Sequence, residues 1–140
     1  SAYWASRGFV VGPVPPLDLS RERALQQLCL AAIRRGVLRS AHDLSDGGLG
    51  VALAEACILG ELGLVSSVAA EGDAYRWLFN EAQSRILVSV RPDQVGALQS
   101  LAAEHGVPCQ ELGVVGGNRL QLGVVDVGLA DLATAWQLDL

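Results

Sequence analysis

Lysine and methionine are both absent from these 140 residues. All ten cationic side chains are Arg, so a P-loop lysine, a Schiff-base lysine and a lysine general base are excluded together. With no Met, and with Ser1 reading as a cut or processed end, the chain is expected to be a piece of a longer one. Cysteine is scarce as well. Cys29, Cys57 and Cys109 form no C-x-x-C and no Cys/His pair at zinc spacing, which excludes a structural zinc and fits a reducing, cytoplasmic setting. No apolar run approaches the ~18 residues of a membrane span, and no basic segment precedes a short apolar one, so a soluble chain with no membrane role is expected.

What is present describes one folded domain. Apolar residues make up 51% and charged ones 18%, enough for a core and too apolar for disorder. The net charge of -5 argues against a general nucleic-acid-binding surface. A mean hydropathy of +0.34 in so short a chain hints at a face that something else covers.

Residues 1–19, with Gly8, Gly12, Pro13, Pro15 and Pro16, read as an extended connector from a missing upstream domain, and residues 20–140 as the domain itself. Ser20 offers an N-cap for a helix striped by Leu25, Leu28, Cys29 and Ala32 and stopped at Gly36. A strand over 37–42 leads to a helix striped by Leu49, Ala52, Leu53 and Ala56 and ending at Gly60. Next come a weaker strand over 64–69, a polar loop, a helical turn over 75–79 and a strand over 85–91. Pro92 opens a helix with Val95, Leu98, Leu101 and Ala102 inward up to Gly106. Strands over 110–115 and 119–125 flank Gly116-Gly117-Asn118, a hairpin signal, and Asp126 caps a last helix through Leu129, Leu132, Ala133 and Trp136. The order predicts an α/β (α+β) fold, a mixed β-sheet flanked by helices.

The stretch that carries chemistry is Ser40-Ala41-His42-Asp43-Leu44-Ser45-Asp46-Gly47-Gly48-Leu49-Gly50. It combines a strand end, an acidic turn and a helix whose first turn holds glycines. Gly47 and Gly48 allow close approach to the backbone, and the helix start presents N–H groups suited to phosphate. Asp43 and Asp46 offer the hard oxygen ligands that Mg²⁺ shares with phosphates and water. The plainer reading gives Ser45 or Asp46 to capping, and Gly48 and Gly50 to close packing. The glycine spacing is not that of the dinucleotide fingerprint.

The string SAHDLSDGGLGVALAEA resembles the signature of the C-terminal domain of phosphoribosylformylglycinamidine synthase, synthetase subunit. Pro16-Leu17-Asp18-Leu19, Leu78-Phe79-Asn80-Glu81-Ala82-Gln83-Ser84-Arg85 and Leu112-Gly113-Val114-Val115-Gly116-Gly117 resemble further family segments in the same order. The resemblance implies a domain like the C-terminal domain of aminoimidazole ribonucleotide synthetase, with ATP sites formed between such domains. It implies that Asp43 binds Mg²⁺, that Ser45 touches the nucleotide, and that Gly47 and Gly48 belong to the same nucleotide-binding turn. The implied enzyme is an ATP-dependent ligase of purine biosynthesis. It turns formylglycinamide ribonucleotide, glutamine and ATP into formylglycinamidine ribonucleotide, glutamate, ADP and phosphate through an iminophosphate-type species. Ammonia comes from a separate glutaminase. The family's principal catalytic histidine lies upstream, so this piece is expected to hold no catalytic residue and to be inactive alone. Two rivals remain: another superfamily reaction (a kinase, a selenophosphate or a hydrogenase-maturation enzyme), or a docking module without nucleotide contact.

Remaining candidates have structural readings. His42 and Asp43 point to opposite faces of a strand, against a working pair. His105 sits at a helix C-terminus, where its charge suits the dipole. Glu81 and Arg85 read as an ion pair or an interdomain contact. Cys29 and Cys57 read as core, Trp4, Trp77 and Trp136 as packing or interface anchors, and no nucleophilic triad can be assembled.

Overall fold

A computed structural model describes residues 5–8, 16–66, 68 and 74–138. The elements in chain order are α1 (Leu19–Arg34), β1 (Leu38–Asp43), α2 (Gly48–Gly60), β2 (Leu64–Ser66), α3 (Ala74–Phe79), β3 (Ile86–Val90), a 3-10 turn (Pro92–Gln94), α4 (Val95–Glu104), β4 (Gly113–Val115), β5 (Arg119–Leu122), β6 (Val125–Gly128) and α5 (Leu129–Leu138). Trp4, most of the expected connector and the polar loop over 70–73 lie outside the described residues, as do Ser67 and Ala69 of the expected second strand.

Two sheets divide the work. β1 and β3 form an antiparallel ribbon, with Asp43 opposite Ile86 and His42 opposite Leu87. The other four strands form a mixed sheet in the order β4-β2-β5-β6, in which only β2 and β5 run parallel. The expected α+β architecture is therefore present. The hairpin reading needs correction, because β4 and β5 do not pair with each other: β2 lies between them. Gly116 N–H donates to Gly63 O at 2.8 Å and Gly63 N–H donates to Gly117 O at 2.9 Å, so the Gly116–Asn118 turn arches over the residue that enters β2.

Burial explains the two layers. Leu28, Ala32, Val37, Leu98, Leu101 and Ala102 bury α1 and α4 together, with Val88 and Val90 of β3 packed against them. Leu49, Leu53, Cys57, Leu64, Leu78, Leu120 and Leu122 bury α2 and α3 on the inner face of the mixed sheet, and Leu87 joins this second core. Alternating side chains of β3 thus serve two cores, the period-two consequence of a strand covered on both faces.

Three end signals differ from expectation. Asp18, not Ser20, caps α1, its Oδ1 accepting from the N–H groups of Ser20 and Arg21 at 2.9 and 3.1 Å. The strand expected over 119–125 breaks at Gly123, whose φ of +59 turns the chain back into β6. Asp126 consequently lies in a strand, where its Oδ1 accepts from Arg119 Nε at 2.7 Å, and it does not cap α5. On α2, Ala56 is exposed and Cys57 takes the buried position of the stripe. No helix among the described residues is long and apolar enough to cross a membrane.

Candidate functional site

The acidic turn sits where β1 ends and α2 begins. Leu44 N–H donates to Arg85 O at 3.2 Å, which holds the strand end against the start of β3. The chain then turns through Gly47 and Gly48, at φ of +81 and +65. Two successive residues in this left-handed region account for the glycine pair, since a Cβ there meets a steric penalty. Asp43, Ser45 and Asp46 are exposed, whereas Gly47 and Gly48 are buried.

The glycines face their own chain. A Cβ on Gly48 would lie 2.6 Å from Asn80 O and 3.0 Å from Leu78 O, and one on Gly47 would collide with the side chain of Val51. A Cβ on Gly50 would lie 3.1 Å from Phe79 Cε1, so the close-packing reading of this helix start holds. The N–H of Gly47 donates to Glu81 Oε1 at 3.0 Å, and that of Gly48 to Ser45 O at 3.1 Å. Both amides thus have acceptors in the protein, Gly47 on the segment behind the turn and Gly48 within the turn itself.

Capping is also absent. No side chain caps α2, so neither Ser45 nor Asp46 is used in that way. Among the described residues no hydrogen bond or ion pair engages the side chains of Asp43, Ser45 or Asp46, which leaves their oxygens free toward solvent. No cluster of three or more His, Cys, Asp or Glu able to hold a metal occurs among the described residues. The free carboxylates of Asp43 and Asp46, with the Ser45 hydroxyl, are still donors of the kind that fits Mg²⁺. That ion keeps most of its waters and takes one or two carboxylates together with phosphate oxygens.

The segment from Leu78 to Arg85 forms the back wall. Arg85 donates from Nε to Ala82 O at 3.1 Å and from Nη2 to Asn80 O, and Asn80 Oδ1 accepts from Ala82 N–H at 2.7 Å. Burial, with Arg21 nearby, lowers the affinity of the Arg85 guanidinium for its proton. Of the residues that the sequence singled out here, Glu81 contacts the backbone of Gly47 and Arg85 that of the loop preceding it. Spacing alone could not reveal a bond between residues 34 apart.

His42 lies beside the turn, its Nδ1 2.6 Å from Asp43 O and its Nε2 3.4 Å from Glu55 Oε2. Its ring thus contacts the Asp43 carbonyl, not the carboxylate, as the strand geometry implies. His105 Nδ1 lies 2.9 Å from Leu101 O at the end of α4, matching its structural reading. Cys57 is buried, Cys29 half-buried and Cys109 exposed. Trp77 packs against the second core, while Trp136 lines an open apolar groove of about 510 Å³ between α2 and α5.

The family model for AIR synthase related protein, C-terminal domain, matches residues 1–125. The chain belongs to that family. It is 46% identical to phosphoribosylformylglycinamidine synthase subunit PurL of Thermomicrobium roseum, over 97% of this chain and 19% of that protein. It is 42% identical to PurL of Thermobifida fusca, over 96% of this chain and 18% of that protein. The chain thus spans about a fifth of the length of these relatives. Among solved structures, T. maritima PurL complexed with ATP matches at a TM-score of 0.77 and 22% identity, over 87% of this chain and 23% of that one. T. maritima PurL complexed with FGAR matches at 0.71 and 22% identity, over 80% of this chain and 21% of that one. At this identity the two structures bear on the fold, which they share with the chain.

Proposed function

We propose that residues 20–140 form the C-terminal domain of a phosphoribosylformylglycinamidine synthase, led into by residues 1–19, and contribute part of a magnesium–nucleotide site. The whole enzyme would convert formylglycinamide ribonucleotide, glutamine and ATP to formylglycinamidine ribonucleotide in cytoplasmic purine biosynthesis, with ammonia from a glutaminase. Identity of 46% to PurL over 97% of the chain supports this reaction over a kinase, selenophosphate or hydrogenase-maturation role.

The observation that carries the site is a contrast within one turn. The backbone is fixed by Arg85 O, Glu81 and the wall at Asn80, while the side chains of Asp43 and Ser45 remain exposed and unengaged. A fixed backbone carrying oxygens with no structural task leaves those oxygens available to a ligand. Asp43 would hold Mg²⁺ and Ser45 would donate its hydroxyl hydrogen to a nucleotide phosphate. Gly47 and Gly48 belong to the site as the backbone hinge of the same turn. When bound, Mg²⁺ neutralises charge on the phosphates, the electrostatic role expected in phosphoryl transfer. The residues of this chain then bind and orient the nucleotide. No acid, base or nucleophile is assigned to them.

An interdomain face completes the proposal. Val65 and Val114 pair across β2 and β4 and are 52% and 68% exposed on the side of the mixed sheet opposite its core, consistent with cover by other parts of a longer chain. The same feature favours the docking-module reading, which differs only in denying nucleotide contact. A structure of the full-length protein with an ATP analogue and Mg²⁺ separates them. Asp43 and Ser45 on the metal and phosphates is the expected result; both far from every phosphate overturns the site.

A further inference from the structure

We infer that Glu81 is a positioning residue for the proposed magnesium–nucleotide site, acting through the N–H of Gly47; the inference rests on the reading of Asp43 and Ser45 given above. Glu81 lies in the segment between α3 and β3, 34 residues from the turn it touches, and is half-buried. Its Oε1 accepts from Gly47 N–H at 3.0 Å. Gly47 is the residue at which the chain reverses into α2, and no side chain caps that helix. The carboxylate of Glu81 therefore does for the N–H of the N-cap residue what the N3 carboxylate of a capping box does, but from a distant segment of the chain.

The placement determines what Glu81 controls. The turn is held upstream at Leu44 by Arg85 O and downstream at Gly48 by the wall of Leu78 O and Asn80 O. Between those points lie Ser45, Asp46 and Gly47, and the bond from Gly47 N–H to Glu81 ties that interval to the back wall. Without it, the backbone at Gly47, which has no Cβ to restrict it, would lose its tie to the back wall, and the path of the chain through Ser45 and Asp46 would be less restrained. A carboxylate also suits the location electrostatically, since it accepts from the positive end of α2. Glu81 needs no contact with the nucleotide to do this. It acts as groups behind a metal site do, by orienting the groups that touch the ligand.

The test uses the full-length protein and calorimetric titration with ADP, with and without Mg²⁺, for wild type, Asp43→Asn, Glu81→Ala, Glu81→Met and Glu81→Gln. Gln keeps an oxygen acceptor for Gly47 N–H, whereas Met keeps the length and loses it, so Met reports if Ala does not fold. The expected result is a weakening of Mg-dependent ADP binding by about 10–100-fold in Ala or Met. Gln should restore affinity to within about threefold of wild type, taking the retained neutral hydrogen bond as the main contribution. Metal-free ADP binding should change little in any Glu81 variant. Normal Mg-ADP binding by Glu81→Met, equal loss in Gln and Met, or equal loss with and without Mg²⁺ overturns the role of Glu81. If Asp43→Asn binds Mg-ADP as wild type does, the site reading fails and the inference falls with it; loss in Asp43→Asn alone leaves the site standing and removes only Glu81.

Discussion

Ser84 donates its hydroxyl hydrogen to Glu22 Oε2 at 2.6 Å, tying the residue before Arg85 to the first turn of α1 across 62 positions of sequence. Ser84 does so with φ at +62, a left-handed conformation that a non-glycine residue seldom adopts. Two opposed contributions therefore meet at one residue, a hydrogen bond gained and backbone strain carried. Ser84→Ala loses the bond and keeps the strain; Ser84→Gly loses the bond and relieves it. We expect the Gly variant to be the more stable of the two by about 1 kcal/mol, measured by chemical denaturation. Equal stabilities would show that the strain contributes nothing.

The same Glu22 enters a pH dependence. Its carboxyl is held below the usual carboxylate range, first by Ser84 and then by Gln26. Asp126 is lowered by Arg119, and Asp93 by Arg91. In each case the folded state binds the proton less readily than the unfolded chain. Their stabilisation is therefore present above the unfolded value of about 4 and is lost as pH falls through the lower folded value. Asp93 and Asp126 are exposed and Glu22 is half-buried at the surface, so the contribution is modest and weakened by salt. The melting temperature should be level from pH 7 to pH 5 as far as these groups are concerned and fall below about pH 4. Arg119→Gln should make that fall shallower, and an unchanged slope would rule out the Asp126 pair as a contributor.

Gly63 shows why the arch over β2 admits no side chain. A Cβ there would run into Arg119 O and would lie 2.7 Å from Arg119 N and 2.8 Å from Gly116 O, all of them backbone or turn atoms that cannot swing away. Gly63→Ala is expected to destabilise by about 1–3 kcal/mol, the range for forcing atoms into filled space. Gly96 is the control. It lies in α4, exposed, with nothing within 4 Å of a modest side chain and no positive φ. Gly96→Ala should stabilise by about 0.5–1 kcal/mol through helix propensity. Equilibrium denaturation of both variants against the parent decides the pair.

What the sequence revealed and what it hid follow from range. Gly36 and Gly106 mark the ends of α1 and α4 as expected, both with left-handed φ, because a helix stop is written in adjacent residues. The strand over 85–91 was legible for the same reason, as a short β-branched run between polar residues. The arrangement of β4, β2 and β5 was not. A Gly-Gly-Asn break looks the same whether the flanking strands pair or admit a third between them, and the third here comes from some fifty residues earlier. At the site, the acidic turn was legible as a motif, with a strand end before it and a glycine-bearing helix start after it. The inward commitment of Gly47 N–H was hidden because its acceptor, Glu81, reaches the turn only through the fold.

Gly48 is where fold and site are least separable. Its φ of +65 already disfavours any side chain, and a Cβ would lie 2.6 Å from Asn80 O and 3.1 Å from Asn80 C, both fixed backbone atoms. Arg85 donates to that same Asn80 carbonyl, so moving it away from residue 48 strains a second contact. Gly48→Ala should therefore destabilise by about 2 kcal/mol or more, from left-handed strain and overpacking together. Because the displaced wall also carries Glu81, the turn should be redirected even in molecules that remain folded. Hydrogen exchange should then rise at Leu44 and Gly47 more than in α1 or α4, whose core is separate. A uniform rise across all five helices flanking the two cores would instead mean that Gly48 supports the fold as a whole and has no special hold on the turn.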